Sequence, residues 1–375
     1  MWNKHLHIVS LNIPLPANYG GMIDIWHKAK ALSDLGIKVH LHCFEYGRSH
    51  QKELEDTCYS VNYYKRHTGL ASWLSNEPYI VKSRENNELL QNLIAFDAPI
   101  LFEGLHTTHF IANKELKDRF KIVRAHNIEH EYYNGLKRQE HNLLKKFFFL
   151  TESHKLERYE KKAMPFAQLI ASITEKDTDY FSSTYGHSTH LPAFQPNSAV
   201  CGKTDFGKHI LYHANLSVPE NIEASLFLAK ALRDINFPII FAGKDPDKAL
   251  AKAVSTNANI AICANPTSEQ MDKLVEDAQI IALPTFQPTG IKLKLLESLY
   301  KGRHCVANRQ MVAGTGLESL CHIADSAEEF AQICRDLISK PFDINDLQNR
   351  SKLLSKFDAS INAQKLIDLI DNALR

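Results

Sequence analysis

Short apolar runs alternate with longer amphipathic stretches through almost the whole chain, and this alternation constrains the fold more than any other feature. A strand-length apolar run followed by a helix-length crossover is the pattern of a parallel sheet with helices on its faces. Residues 6–13 form the first such run. The turn Pro14-Leu15-Pro16-Ala17-Asn18-Tyr19-Gly20-Gly21 leads from it into a helix over 22–35, and Gly36 stands where a C′ glycine ends a helix. Ile37, Val39, Leu41 and Cys43 alternate with polar residues as a second strand. Residues 99–103, 121–125 and 169–173 read as further strands, with a long helical stretch over 129–162 between the last two.

The pattern breaks around 190–205, where Pro192 and Pro196 mark a linker, and then starts again. Strands are expected at 210–212, 238–242, 259–263, 279–283 and 303–307. Pro219 opens a helix where its missing N–H costs nothing, Thr267 and Gln270 fit a capping box, and residues 290–300 and 327–374 are helical. At 375 residues the chain has the length for two domains, each with its own core. The reading is an α/β protein of two Rossmann-like domains with parallel sheets facing a cleft, one over 1–195 and one over 200–357.

Composition excludes several functions. With 44 basic and 43 acidic residues the net charge is +1, which gives no large basic footprint for nucleic acid. Seven cysteines without a CxxC pair read as reduced thiols of a cytoplasmic protein, and no apolar run reaches membrane-span length. The 19 histidines are scattered from His5 to His322 and form no compact metal-binding tract. Asp177-Thr178-Asp179 and Asp245-Pro246-Asp247 have the spacing of a metal-binding pair, but both sit at helix starts, where acidic residues are favoured anyway. No metal is assigned.

In such sheets ligands bind beyond the carboxyl ends of the strands, so the strand-to-helix turns carry the candidates. Gly20-Gly21 lets a ligand approach the backbone at a helix start whose N–H groups favour an anion; a plain turn is an equal reading. In the turn over 283–299, Lys292 and Lys294 stand at the expected helix start. Two cations there oppose the macrodipole, and a bound pyrophosphate would resolve the conflict. Glu297, further along, could accept hydrogen bonds from ribose hydroxyls; a solvated Lys-Lys-Glu face is the alternative. Residues 137–162 hold eight basic and four acidic residues around Phe147-Phe148-Phe149-Leu150. They fit peripheral contact with an anionic bilayer, but the favoured reading is a helix that packs its phenylalanines into the core.

Tyr19-Gly20-Gly21, His126-Asn127-Ile128-Glu129-His130-Glu131, Asn215-Leu216-Ser217-Val218-Pro219-Glu220-Asn221, Ala242-Gly243-Lys244-Asp245-Pro246 and the 290–297 helix start occur in the order found in GT-B glycosyltransferases of the family 4 group, which the chain resembles over nearly its full length. The resemblance implies transfer of a hexose, mannose first, with retention from a GDP- or UDP-linked donor to a glycan or lipid-linked acceptor, without a metal cofactor. It implies that the helix over 358–375 returns to the first domain. Glu297 matches the second glutamate of the family's paired motif, and Thr289 stands where the first is expected. Phosphate binding then falls to Gly290, Ile291, Lys292 and Lys294 with their backbone N–H groups, with Lys244 as a further donor-side residue. His106 reads, on the residues alone, as a cap for Thr107-Thr108; the resemblance places it beside the reacting sugar. His126 and Glu129 fall on the acceptor side. A non-catalytic nucleotide-sugar-binding protein and a sugar-nucleotide epimerase are the alternative functions.

Overall fold

A computed structural model describes residues 2–18, 20–140, 142–255, 257–286 and 293–375, apart from the side chains of Gln139 and Ala249. The chain divides into two compact units, residues 1–196 with 356–375 and residues 197–355. The first holds a seven-stranded sheet of β1 (His5–Ser10), β2 (Lys38–Glu45), β3 (Ser60–Lys65), β4 (Ile100–Glu103), β5 (Lys121–Ala125), β6 (Leu169–Ser172) and β7 (Ser188–His190). Their order is β3-β2-β1-β4-β5-β6-β7, and every pairing is parallel.

The second unit repeats the plan with β8 (His209–His213), β9 (Ile239–Gly243), β10 (Ile260–Ala264), β11 (Ala278–Leu283), β12 (His304–Ala307) and β13 (His322–Ile323), in the order β10-β9-β8-β11-β12-β13, again parallel. The strand order reverses between β1 and β4 in the first sheet and between β8 and β11 in the second. At such a switch point the loops leave in opposite directions and open a crevice at the carboxyl ends of the strands. Each unit therefore has one place for a ligand before any side chain is considered.

Central strands are buried on both faces, as a parallel sheet under crossover helices requires. The strands absent from the sequence reading, β3, β7 and β13, are all edge or near-edge strands. The Ser-Val-Asn-Tyr-Tyr-Lys of β3 is mostly half-buried, while β7 and β13 are too short for a period to register. The 129–162 stretch is two helices, Glu129–Gln139 and Leu143–Ala163, rather than one. The capping box of Thr267 and Gln270 is present, with Oγ1 of Thr267 3.2 Å from the Gln270 N–H.

β1 and β2 carry histidine at alternate positions, His5 and His7 beside His40 and His42, so all four face one side of the sheet. They form two hydrogen-bonded rows across the strands. His5 Nδ1 lies 2.8 Å from His40 Nε2, and His40 Nδ1 lies 2.8 Å from Ser60 Oγ. His7 Nδ1 lies 2.9 Å from His42 Nε2, and His42 Nδ1 lies 2.7 Å from the Tyr64 hydroxyl. Burial pushes His7 and His40 down to about 4 and His42 well below its ordinary value. These four residues are core, which accounts for part of the histidine excess.

The helix Ala359–Ala373 lies with the first unit. Its Ala363, Leu366, Ile367 and Ile370 are buried in one apolar cluster with Leu6, Trp26, Ala29 and Leu32.

Candidate functional site

The first unit's crevice is lined by the ends of β1, β4 and β5. Helix Gly20–Asp34 starts beside it with no acidic residue in its first turn. A Cβ added at Gly20 would meet nothing within 4 Å, and one at Gly21 would lie 4.0 Å from His126 Nδ1. The glycine pair thus leaves open backbone at this edge next to His126, which both the anion-binding and the plain-turn readings allow.

One turn into that helix, Asp24 and Lys28 stand on its buried face. Lys28 Nζ lies 2.8 Å from Asp24 Oδ2 and 2.7 Å from Glu103 Oε1 at the end of β4. Arg124, at the end of β5, places Nη2 2.8 Å and Nε 3.2 Å from the Asp24 carboxylate and donates to the carbonyls of Leu191 and Pro192. The Phe194 N–H donates to Asp24 Oδ1 at 2.8 Å. Burial alone would raise Asp24, but Arg124 and Lys28, with His126, hold its carboxyl well below the usual carboxylate range. The other Glu103 oxygen, Oε2, lies 2.9 Å from His126 Nε2. Glu103 therefore ties one nitrogen of His126 and turns the other, Nδ1, toward Gly21.

Asp24, Glu103 and His126 also offer three metal-ligating atoms within 4.8 Å of one another. Lys28 Nζ sits between the two carboxylates at contact distance, so the ammonium holds the place a divalent ion would need.

His106 and Glu129 meet nearby. Gly104 has φ +67°, and a Cβ there would lie 2.8 Å from His106 Nδ1, so only glycine lets the chain turn and bring the imidazole in. His106 Nδ1 faces Glu129 Oε1 at 3.9 Å, and neither buried atom has a hydrogen-bond partner among the described residues. Burial, reinforced by Glu160, pushes Glu129 up to about 8, and burial with the charges of Arg84, His126 and Arg66 pushes His106 well below its ordinary value. At neutral pH the pair is a protonated carboxyl beside a neutral imidazole, a donor and an acceptor spaced for a hydroxyl. Structure thus brings together Gly20, Gly21, His106, His126 and Glu129. Sequence reasoning missed Asp24, Lys28, Glu103 and Arg124, although a charge closing the apolar runs Ile-Leu-Phe-Glu and Lys-Ile-Val-Arg-Ala was a legible signal.

In the second unit, Thr289, Gly290, Ile291 and Lys292 lie outside the described residues. Helix Leu293–Lys301 is described from its first residue. Lys294 Nζ lies 3.1 Å from Asn221 Oδ1 and 5.2 Å above the Tyr212 ring, so its ammonium leans under the loop that follows β8. Glu297 is one-third exposed, with its carboxylate 3.9 Å from His213 Nδ1 and 3.6 Å from Lys301 Nζ. His213 Nε2 lies 2.9 Å from Ser298 Oγ, and burial keeps its pKa low despite Glu297.

The loop after β8 is shaped by Asn215, whose side chain accepts from Ser217 N and Oγ, and by the Lys244 carbonyl, which accepts from Leu216 N at 2.9 Å. A Cβ at Gly243 would lie 1.7 Å from the Ala214 carbonyl oxygen, so this loop closes down on a glycine. The Lys244 side chain is well exposed, 3.8 Å from Asp245. His213, Asn215 and Asn221 were not assigned roles from the sequence.

Phe147 departs from its expected place in the core: it is 63% exposed, and Phe148 and Phe149 are half-buried. Among the described residues no helix is long and apolar enough to cross a membrane.

Comparison with known proteins bears on both units. Residues 207–340 match the family model described as Glycosyl transferases group 1. A 44.6 kDa protein in the cps region of Klebsiella pneumoniae is 26% identical over 329 residues, 82% of this chain and 84% of that protein. Anabaena HepE in complex with UDP and glucose superposes with TM-score 0.69 at 13% identity, covering 98% of this chain and 99% of that one. A glycosyltransferase from Rickettsia africae gives 0.67 at 13% identity with both chains fully covered. TarM gives 0.66 at 12% identity, covering 99% and 98%. Two all-parallel sheets, each with its own switch point, and these whole-length superpositions give the chain the GT-B fold seen in glycosyltransferases, and its residues 207–340 match the glycosyl transferases group 1 model.

Proposed function

We propose that the protein transfers a hexose from a nucleotide diphosphate sugar to a hydroxyl of a glycan or lipid-linked acceptor, with retention at the anomeric carbon. The observation that carries this reading is the His106–Glu129 pair, two buried polar atoms 3.9 Å apart, without a hydrogen-bond partner among the described residues, at a strand-end crevice of a GT-B chain. A sugar hydroxyl placed there accepts from the Glu129 carboxyl and donates to His106 Nδ1. Positioned hydroxyls and stabilised leaving-group charge are the two things a sugar transfer asks of a protein.

In the second unit Glu297 is the ribose ligand, and Lys294 with Lys292 and the helix-start N–H groups takes the pyrophosphate. Their engagement follows from charge: Lys294 and the helix N-terminus both favour an anion. On this reading no metal is required. Solved GT-B structures with UDP and with UDP-glucose make a UDP-linked hexose the first donor to try, and GDP-mannose the second. A relative from a cps region supports a glycan acceptor in polysaccharide biosynthesis.

Thermal shifts with UDP, GDP and ADP sugars, followed by donor hydrolysis and transfer to an acceptor panel, test the proposal. Slow release of free sugar and transfer with an α-linked product are expected. Tight donor binding without hydrolysis or transfer would make the chain a binding protein, and conversion of the donor into a second sugar nucleotide would make it an epimerase. Lys292→Ala is expected to raise the donor dissociation constant at least tenfold.

A further inference from the structure

Arg66 carries a charge that the first unit does not neutralise. It directly follows β3, and Tyr46 directly follows β2, so both stand at the carboxyl edge of the sheet. The segment Leu105–Phe110, which carries His106, leaves β4 at the same edge. The Arg66 guanidinium lies 4.5 Å from the centre of the Tyr46 ring and 5.5 Å from that of Tyr79. Its Nε donates to the buried Ser83 Oγ at 2.9 Å, and the His67 N–H donates to the Ser83 carbonyl at 2.8 Å. Two rings and one anchored nitrogen thus fix the plane of the fork. Its two Nη groups have no hydrogen-bond partner and no carboxylate among the described residues, although the side chain is half-buried.

Acids of the adjoining segment are committed elsewhere. Glu77 lies 3.1 Å from His109, and Glu85 lies 3.4 Å from His109 and 2.6 Å from Lys82. Stacking on aromatic rings stabilises a guanidinium without neutralising it. A fork held in one plane with both Nη groups open offers paired donors to the two oxygens of an anion. Its field reaches the His106–Glu129 pair: the helix Tyr79–Lys82 packs against Leu105–Phe110, and Arg66 is one of the cations that depress His106. Glu129 brings no opposing charge at neutral pH, because its carboxyl is protonated up to about 8. Tyr46, 55% exposed, adds apolar surface against which a pyranose ring can lie beside the fork.

We propose that Arg66, held between Tyr46 and Tyr79, binds a carboxylate of the acceptor, so that the acceptor is an acidic glycan with a uronate near the hydroxyl that reacts. The inference rests on reading the first unit's crevice as the acceptor side. A planar, singly charged carboxylate matches both the two Nη groups and the one charge they carry. A neutral acceptor would leave that charge half-buried and unanswered.

Ligand-observed NMR titration of the full chain, without sugar nucleotide, tests the proposal apart from transfer, with methyl glucuronide, methyl glucoside and methyl glucoside 6-phosphate as probes. The glucuronide is expected to bind about tenfold tighter than the glucoside, as hydrogen bonds to a charged group require. Arg66→Gln should abolish that advantage, and Arg66→Lys should keep part of it, since lysine retains the charge but not the fork. The ratio of the two glycosides is read in one preparation, so a loss of folded protein does not imitate the effect. A wild-type chain that binds the glucuronide no better than the glucoside, or an advantage that survives Arg66→Gln, overturns the proposal. Tighter binding of the 6-phosphate than of the glucuronide, lost with Arg66→Gln, replaces the carboxylate with a phosphate. A chain that prefers the glucuronide yet transfers no sugar overturns the transferase reading alone, and a transferase without the preference overturns this one alone.

Discussion

The crevices at the two switch points are built to different standards. In the first unit Asp24, Lys28, Glu103 and Arg124 are buried, and their ionic contacts run from 2.7 to 3.2 Å. In the second, Glu297 stays one-third exposed, with Lys301 Nζ at 3.6 Å and His213 Nδ1 at 3.9 Å. A buried charge must be fully paired or the fold suffers, whereas a half-exposed one can exchange partners at little cost. The first crevice is therefore locked before a ligand arrives, and its chemistry depends on stability. The second can rearrange around whatever it binds.

Asp24→Ala should break this contrast most visibly. It leaves Lys28 and Arg124 buried without their shared carboxylate, and a loss of about 4 kcal/mol is expected in urea unfolding of the first unit. A loss under about 1 kcal/mol would mean that the network is no more committed than Glu297. Next comes the pH dependence of Glu129. Its pKa is raised in the folded chain, so its contribution to stability is full below the ordinary glutamate value and is lost as pH rises through about 8. Glu129→Gln should therefore stabilise the protein by on the order of 3 kcal/mol at pH 9 and far less at pH 5, and an identical gain at both values refutes the assignment.

The histidine rows act with the opposite sign. His7 and His40 are depressed to about 4, so stability falls as pH drops from 6.5 toward 4. The first unit should lose about 2 kcal/mol per histidine between pH 6.5 and 4.5, and His7→Gln, which has no proton to gain, should flatten that loss. In the second crevice the expected effect is on binding. Glu297→Gln should weaken donor binding roughly tenfold, about 1.4 kcal/mol, while moving the melting temperature hardly at all. Were the melting temperature to fall as it does for Asp24→Ala, the two crevices would not differ in kind.

Much of this was legible in the residues. Apolar periodicity located the central strands because parallel strands covered on both faces read as near-continuous apolar runs, and the helix start at Gly20-Gly21 followed from its glycines. Edge strands escaped because half-buried residues carry a weak period. At the candidate site, His126 and Glu129 could be singled out because they follow a strand end and open a helix, whereas His106 read alone as a cap and was picked out by the resemblance. Asp24 and Lys28 could not, since an i, i+4 acid–base pair reads equally as a solvated helix face, and only the convergence of β4 and β5 shows that it is buried. Phe147 shows the reverse failure. Three consecutive phenylalanines suggested a core, but a helix buries one side, and the turn after Asn142 sets which side that is.

The first unit is discontinuous in sequence: residues 356–375 complete the core that residues 1–196 begin, while residues 197–355 form the second unit without interruption. During synthesis the middle of the chain can close on itself as soon as it leaves the ribosome. The beginning must wait, with Leu6, Trp26 and Leu32 incompletely covered, until the helix Ala359–Ala373 has been made. Domains that fold as they emerge usually do so from the amino end. Here the order is inverted, and the segment made first is the one exposed longest to chaperones and proteases.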